Sequence, residues 1–234
     1  MKYRVIILIV SQETQDIEKK IPLDYLQIYK KMKEISTIYF DLFKDHIKYF
    51  YIEYKEQDEN IIETYNHLYV KGVEKYIPGV YNKTVNAIKY INENYDYDFI
   101  LRTNVSSFID VNNLLNLLYI LPKNNFYGGT DIFPSFISGC CVILSRDVGN
   151  LLEIDNDTLF MNEDDLMGHK LIKNNIQMCK LPLISVHIID NLYDSNKICH
   201  NDSILYYRVK NIDDREIDVL YHKCLLQKIY NIIT

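Results

Sequence analysis

The feature that most constrains this chain is an apolar run that ends abruptly in small polar residues: Tyr97-Asp98-Phe99-Ile100-Leu101-Arg102-Thr103-Asn104-Val105-Ser106-Ser107-Phe108. An apolar helix is expected from near Asp110, so a strand hands over to a helix across a polar turn. α/β proteins deliver polar groups to the carboxyl edge of their sheet in this way, at the place where ligands bind. Two later segments have the same character. Phe136-Ile137-Ser138-Gly139-Cys140-Cys141-Val142-Ile143-Leu144-Ser145-Arg146-Asp147 runs from a small-residue turn into a buried strand, and Asn162-Glu163-Asp164-Asp165-Leu166-Met167-Gly168 opens a helix with three acids.

The remaining elements follow the same rhythm. Val5 to Val10 is a continuous apolar run of strand length, as a parallel strand covered on both faces requires. Ile17 to Ile35 carries apolar residues at helical intervals (Ile17, Ile21, Tyr25, Ile28, Met32, Ile35), with an irregularity at Pro22. Ile47 to Tyr54 and Leu68 to Val70 read as strands, and Gly79 to Asn92 as a helix with Val80, Thr84, Ala87, Ile88 and Ile91 on one face. Asp110 is placed to cap a helix that Leu121-Pro122 stops. Ser138 to Leu144 and Ile204 to Val209 are further strands. Ser145 and Asp147 open a short helix through Leu151 and Leu152, Asn162 caps one over Glu163 to Lys173, and Asp213 to Ile233 forms a long last helix. Strands alternating with helices imply a mostly parallel sheet flanked by helices. The 234 residues show no repeat, linker or low-complexity run, so one domain is expected.

Charge and cysteine usage exclude several classes. A net charge of −6 without a basic stripe argues against nucleic-acid binding. Met1 to Val10 is far shorter than the roughly 20 residues of a membrane span, and polar Ser11-Gln12-Glu13-Thr14-Gln15 follows it instead of a cleavage site. It reads as the first strand, with neither leader nor anchor expected. Five cysteines (140, 141, 179, 199 and 224) without Cys-x-x-Cys spacing read as reduced, buried thiols of a cytoplasmic protein.

In order and spacing these segments resemble the β1,3-galactosyltransferase/Fringe-like superfamily of GT-A glycosyltransferases, and in length the short, anchorless enzymes of bacteria and large DNA viruses. The family's Lys-Thr pair on a helix is matched by Lys83-Thr84. Its strand Lys-Thr-Asp-Asp-Asp-Val-Phe-Val is matched by Arg102-Thr103-Asn104-Val105-Ser106-Ser107-Phe108-Ile109. Its Ser-Gly-Gly-x-Val-Leu-Ser-Arg-Asp is matched by Ser138 to Asp147, and its Glu-Asp-Val-x-x-Gly by Glu163 to Gly168. The resemblance covers about residues 80 to 170. It implies a single, Rossmann-like GT-A domain, with about 1–110 as the nucleotide-sugar half and about 111–234 as the acceptor and catalytic half. A hexose-type sugar would pass from a nucleotide-sugar donor, a UDP-sugar by resemblance, to a hydroxyl of a glycan or glycoconjugate.

The departure from the family is as informative as the match. Its Asp-x-Asp motif holds a divalent metal through paired carboxylates. Asn104, Val105 and Ser106 stand there instead, so Mn²⁺ or Mg²⁺, which the family would bring, loses its main charge partners and no cofactor is required by the residues. Thr103, Asn104, Ser106 and Ser107 remain donor-site candidates through hydroxyl and amide groups. The leaving diphosphate then needs cations. Arg208 and Lys210, two apart on a strand and so on one face, are the best source, though they equally read as a solvated strand edge. Arg102 and Lys83 are further donor-side candidates, or simply cations paired with surface acids.

By resemblance Asp164 is the base of an inverting transfer, taking the proton of the acceptor hydroxyl, and Glu163 orients it or binds acceptor. Acids in a first helical turn are also favourable without any catalytic role. Asp165 stands at the family's apolar position and is set aside. Ser138 and Gly139 would let the backbone approach the acceptor sugar, and Gly128-Gly129 reads as an acceptor-side loop or a hairpin turn. His200 reads as structural or donor-contacting, since Cys199 and His200 alone do not make a zinc site. His67, His169, His187 and His222 have no evident partners. A non-catalytic sugar- or nucleotide-binding module on a degenerate GT-A fold is the alternative. A sugar nucleotidyltransferase is disfavoured by the lack of a Gly-rich loop after the first strand.

Overall fold

The computed structural model describes residues 2–18, 21–155, 161–189, 192–211 and 213–233. Its centre is strand β1 (Lys2–Val10), whose Val5, Ile7 and Ile9 enter one core while Ile6 and Leu8 enter another on the opposite face. Burial on both faces is the reason its apolar run is continuous. β2 (Ile47–Lys55) and β5 (Asp96–Asn104) flank β1, both parallel to it. Outside β2 lie β4 (His67–Lys71), parallel, and the antiparallel edge strand β3 (Ile61–Glu63). Outside β5 come β8 (Cys141–Ser145), β7 (Tyr127–Gly129) and β9 (Met178–Lys180), which complete eight strands in the order β3-β4-β2-β1-β5-β8-β7-β9.

Helices cover both faces. α1 (Asp24–Asp41), α3 (Val111–Leu118) and α6 (Glu216–Tyr230) pack on the core that contains Val5 and Ile7. α2 (Gly79–Asn94), α4 (Arg146–Gly149) and α5 (Glu163–Lys173) pack on the other. The expected α/β class, with a mostly parallel central sheet between helices, is what the chain forms. A second sheet of three strands was not expected. β11 (Ile204–Val209) pairs in parallel with β10 (Ile184–Ile188) and antiparallel with β6 (Ser107–Ile109). Among the described residues no helix is long and apolar enough to cross a membrane.

Several boundaries differ from the sequence reading, each for a local reason. The helix expected over Ile17 to Ile35 begins only at Asp24, beyond Pro22, and runs on to Asp41. Ile17 is 60% exposed, so the periodicity at its start was accidental. Lys19 and Lys20, inside that expected range, lie outside the described residues. Gly128 and Gly129 form neither a loop nor a hairpin turn but the buried strand β7, where a Cβ on Gly129 would stand 2.8 Å from the Cys141 carbonyl oxygen. The strand expected from Ser138 starts at Cys141 and is antiparallel to β5. Asp110 caps α3 as expected, accepting the Asn113 N–H at 3.0 Å. Asn162 makes no side-chain cap on α5. All five cysteines are free, but Cys179 and Cys199 are exposed and only Cys141 and Cys224 are buried.

Candidate functional site

β2 and β4 lie on one side of β1 and β5 on the other, so the order of the sheet reverses between β1 and β5. The crevice at the carboxyl ends of two such strands is where open α/β sheets bind ligands. A cavity of about 290 Å³ opens there, at the small end of ligand sites. Ser11 and Gln12 after β1, and Arg102, Asn104 and Ser106 at the end of β5, form its floor. Lys83 of α2, Ser138 and Gly139 before β8, Glu163 and Asp164 of α5, Arg208 of β11 and Lys210 just after it form its walls. Ten of the twelve candidate residues thus line one cavity. Thr103 and Ser107 do not line it. The Thr103 hydroxyl points across the sheet to the Cys140 carbonyl at 2.6 Å, and Ser107 is buried behind Arg208, 3.5 Å from its guanidinium.

Arg102 is 3% exposed, and all three of its guanidinium nitrogens donate hydrogen bonds. It pairs with Glu163 through Nε, 2.9 Å from Oε1, and through Nη2. It also donates to Asn104 Oδ1 at 3.0 Å and to the Gly139 carbonyl. The Thr84 hydroxyl donates to the same Glu163 Oε1 at 2.7 Å. Burial pulls the Arg102 pKa down to about 10, which still leaves it charged at neutral pH. The pair therefore cancels most of its own charge. It acts as a strut that ties the start of α5 to β5, to α2 and to the loop before β8.

Gly139 is required by this strut. A Cβ there would stand 2.6 Å from Arg102 Nη1 and 3.0 Å from Cζ, atoms that Glu163 holds in place. Gly139→Ala should lower stability by about 1–3 kcal/mol, the usual cost of overpacking a buried site. The loss should shrink when Arg102→Lys is also present, because the two residues share one contact. Equal losses in both backgrounds, measured by denaturant unfolding, would remove Arg102 from the explanation.

Asp164 stands next to the strut and is half-buried. Its Oδ2 accepts the Gly139 N–H and its Oδ1 the Asp165 N–H, both at 3.1 Å. Two backbone donors thus orient the carboxylate at the start of α5, where the helix dipole favours an anion, and each oxygen keeps a lone pair for a further donor. Asp165 turns away and accepts the Ser135 hydroxyl at 2.9 Å.

The cations divide into two kinds. Lys83 is 1% exposed and bonds both oxygens of Glu74 at 2.9 Å and the Ser11 carbonyl at 2.7 Å, so its charge is cancelled internally. Arg208 and Lys210 have no carboxylate within ion-pair distance among the described residues. Arg208 instead rests on the Ser106 hydroxyl. Burial, Arg208 and Arg215 together lower the Lys210 pKa, outweighing the weaker, opposite pull of Asp218. β11 carries Arg208 to the cavity because it pairs with β6, with Arg208 opposite Ser107, and Lys210 follows directly after its last residue.

His200 does not line the cavity. Its Nδ1 lies 3.3 Å from the Tyr207 hydroxyl and 3.6 Å from Asp110. The sequence reading missed Ser11, Gln12, Glu74, Tyr29 and Tyr76 of the lining. Ser11 and Gln12 were accessible to the argument used for β5, since they follow an apolar strand directly. Tyr29 and Tyr76 reach the cavity only through tertiary packing.

The donor set does not suit a divalent cation at the end of β5. Asn104, Val105 and Ser106 offer no carboxylate, Glu163 is held by Arg102 and Thr84, and Glu74 by Lys83. The metal-type cluster among the described residues is Glu13, Glu53 and His67, none of which lines the cavity.

No family model and no curated protein matches this sequence. Among solved structures, the chain is similar to the catalytic domain of Drosophila beta1,4-galactosyltransferase 7 in complex with xylobiose. The two share 12% identity at a TM-score of 0.46, over 76% of this chain and 65% of that one.

Proposed function

We propose that the chain is a GT-A-type glycosyltransferase that moves a hexose-type sugar from a nucleotide-sugar donor, a UDP-sugar, to a hydroxyl of a glycan or glycoconjugate. One observation carries this reading. One cavity at the sheet's switch point holds an oriented carboxylate, Asp164, together with two cations, Arg208 and Lys210, that have no carboxylate within ion-pair distance among the described residues. The four motif matches add to it.

In this reading the donor diphosphate sits against Arg208 and Lys210, with Asn104 and Ser106 toward its sugar or ribose. Asp164 takes the proton of the acceptor hydroxyl as its oxygen attacks the anomeric carbon. The bond from that carbon to the phosphate oxygen breaks, and the electron pair leaves on the diphosphate, where the two cations stabilise it. Attack opposite the leaving group inverts the anomeric centre. Glu163 acts through Arg102 to hold Gly139, whose N–H orients Asp164, and Ser138 faces the acceptor. Division into a donor half (1–110) and an acceptor half (111–234) holds only loosely, because Arg208 and Lys210 fold back from the second half. The five free cysteines suit the cytoplasm.

Thermal unfolding against a panel of nucleotide sugars, each with Mn²⁺ or EDTA, tests the donor site. The true donor at 100 times its Kd should stabilise the protein by about 2.7 kcal/mol, equally with EDTA. Arg208→Gln with Lys210→Gln should abolish that shift, since each charge-assisted contact is worth about 1.5–3 kcal/mol. A shift that requires Mn²⁺ would overturn the metal-free site, and no shift with any donor would overturn the donor reading.

A further inference from the structure

A second group of converging side chains lies beyond the cavity, past the end of β1, near the end of β2 and at the start of β4. Glu13 follows β1, Glu53 belongs to β2 and His67 to β4, and one ligand atom from each lies within 4.8 Å of the other two. His67 Nε2 stands 3.7 Å from Glu13 Oε1 and 3.7 Å from Glu53 Oε2. A metal with bonds of about 2.0–2.1 Å separates neighbouring tetrahedral ligands by roughly 3.3–3.5 Å, so the two His67 separations need to close by only a few tenths of an ångström, while the two carboxylate oxygens, within 4.8 Å of each other, close by side-chain rotation.

Two independent features point to a ligand among them. Glu53 is fully buried (0% exposed), yet among the described residues its Oε2 makes no well-formed hydrogen bond. His67 Nε2 is also buried and unpartnered, while its Nδ1 lies 2.7 Å from Asn66 Oδ1. An amide oxygen there requires Nδ1 to carry the proton, which leaves a lone pair on Nε2 directed among carboxylate oxygens. Metal-bound histidines are oriented in this way, by a hydrogen bond from the other ring nitrogen. Tyr69 stacks on the ring at 5.4 Å and Tyr51 lies 5.2 Å away on a tilt, so the imidazole is fixed.

We infer that Glu13, Glu53 and His67 form a binding site for a divalent first-row transition ion, Zn²⁺ in the first place. One imidazole and two carboxylates suit such an ion better than Mg²⁺ or Ca²⁺, which prefer oxygen alone. Lys33 is the built-in competitor: its ammonium bonds Oε1 of both Glu13 and Glu53 at 2.9 Å. Bound metal would tie the segment after β1, which carries the cavity residues Ser11 and Gln12, to β2 and β4.

Titration of the chelator-treated full chain with Zn²⁺ by calorimetry, and with Co²⁺ by visible absorption, tests the site. One equivalent should bind, Zn²⁺ should displace Co²⁺, and Mg²⁺ and Ca²⁺ should compete poorly. His67→Gln should weaken binding by at least 10-fold, and Lys33→Met should tighten it by removing the competing charge. Should His67→Gln fail to fold by circular dichroism, Glu13→Gln, at a position 47% exposed, replaces it with the same expected loss. Absence of stoichiometric binding in both the wild type and Lys33→Met would overturn the site. So would unchanged affinity in the folded ligand variant.

Discussion

Asp164→Asn should leave donor binding intact and lower kcat by about 10²–10⁴, the range that a positioned general base contributes. The substitution preserves shape and removes the basic oxygen. Asparagine can still accept one of the two backbone N–H bonds at 3.1 Å that hold the carboxylate, but its amide nitrogen cannot accept the other. Some loss of orientation therefore accompanies the loss of the base. Asp165→Asn is the internal control. It stands on the same helical turn and carries the same charge, but its carboxylate accepts Ser135 at 2.9 Å away from the cavity. Its turnover should stay near wild type. If both variants lose activity alike, the effect belongs to the field of the helix start and not to a base at Asp164. If Asp164→Asn keeps turnover within 10-fold, Asp164 is not the base. A wild type that binds donor but transfers to no acceptor would favour the non-catalytic module.

This contrast also explains what was legible in the sequence. The long buried strands were readable because two-sided burial writes a continuous apolar run, as in Ile6 to Ile9. β3, β6, β7 and β9 were not, since each has three residues, too few for any period to register. The second sheet escaped notice for the same reason: β6 follows β5 within three residues and acquires its identity only by pairing with β11. At the site, residue type was legible and partnership was not. Lys83 and Arg102 read as donor-side cations or as partners of surface acids, yet their acids' side chains are buried: Glu74 lies nine residues from Lys83 and Glu163 lies 61 from Arg102. Nothing local announces either pair. Arg208 and Lys210 were given a cationic role because the metal motif is absent and strand period sets them on one face, and the Ser106 hydroxyl, not a carboxylate, is what Arg208 meets.

Acid unfolding should reveal a second buried group, His222, which the sequence reading left without a role. It is fully buried on α6, its ring lies edge-on to Phe108 with centroids 5.8 Å apart, and neither ring nitrogen makes a well-formed hydrogen bond among the described residues. Burial first, then Arg215 and Arg208, hold its pKa down to about 3, with the nearby Ser106 backbone pulling weakly the other way. The unfolded chain takes up this proton near pH 6.5 and the folded one only near 3. Stability from His222 is therefore complete above pH 6.5 and lost as pH falls, at about 1.4 kcal/mol per pH unit. Asp218, on the same helix, opposes it. Burial raises its carboxyl to about 6 despite Arg215 at 2.5 Å. The folded state thus binds that proton first and gains stability as pH falls from 6 towards the unfolded value near 3.9. The two slopes cancel between about pH 6 and 4, and below that His222 dominates the pair. Comparing His222→Gln with the wild type by urea unfolding at pH 7.5, 5.5 and 4 isolates the histidine. The variant should gain on the wild type by about 3 kcal/mol between the first and last of these. A difference that stays constant with pH would mean that the buried imidazole is already charged in the folded protein.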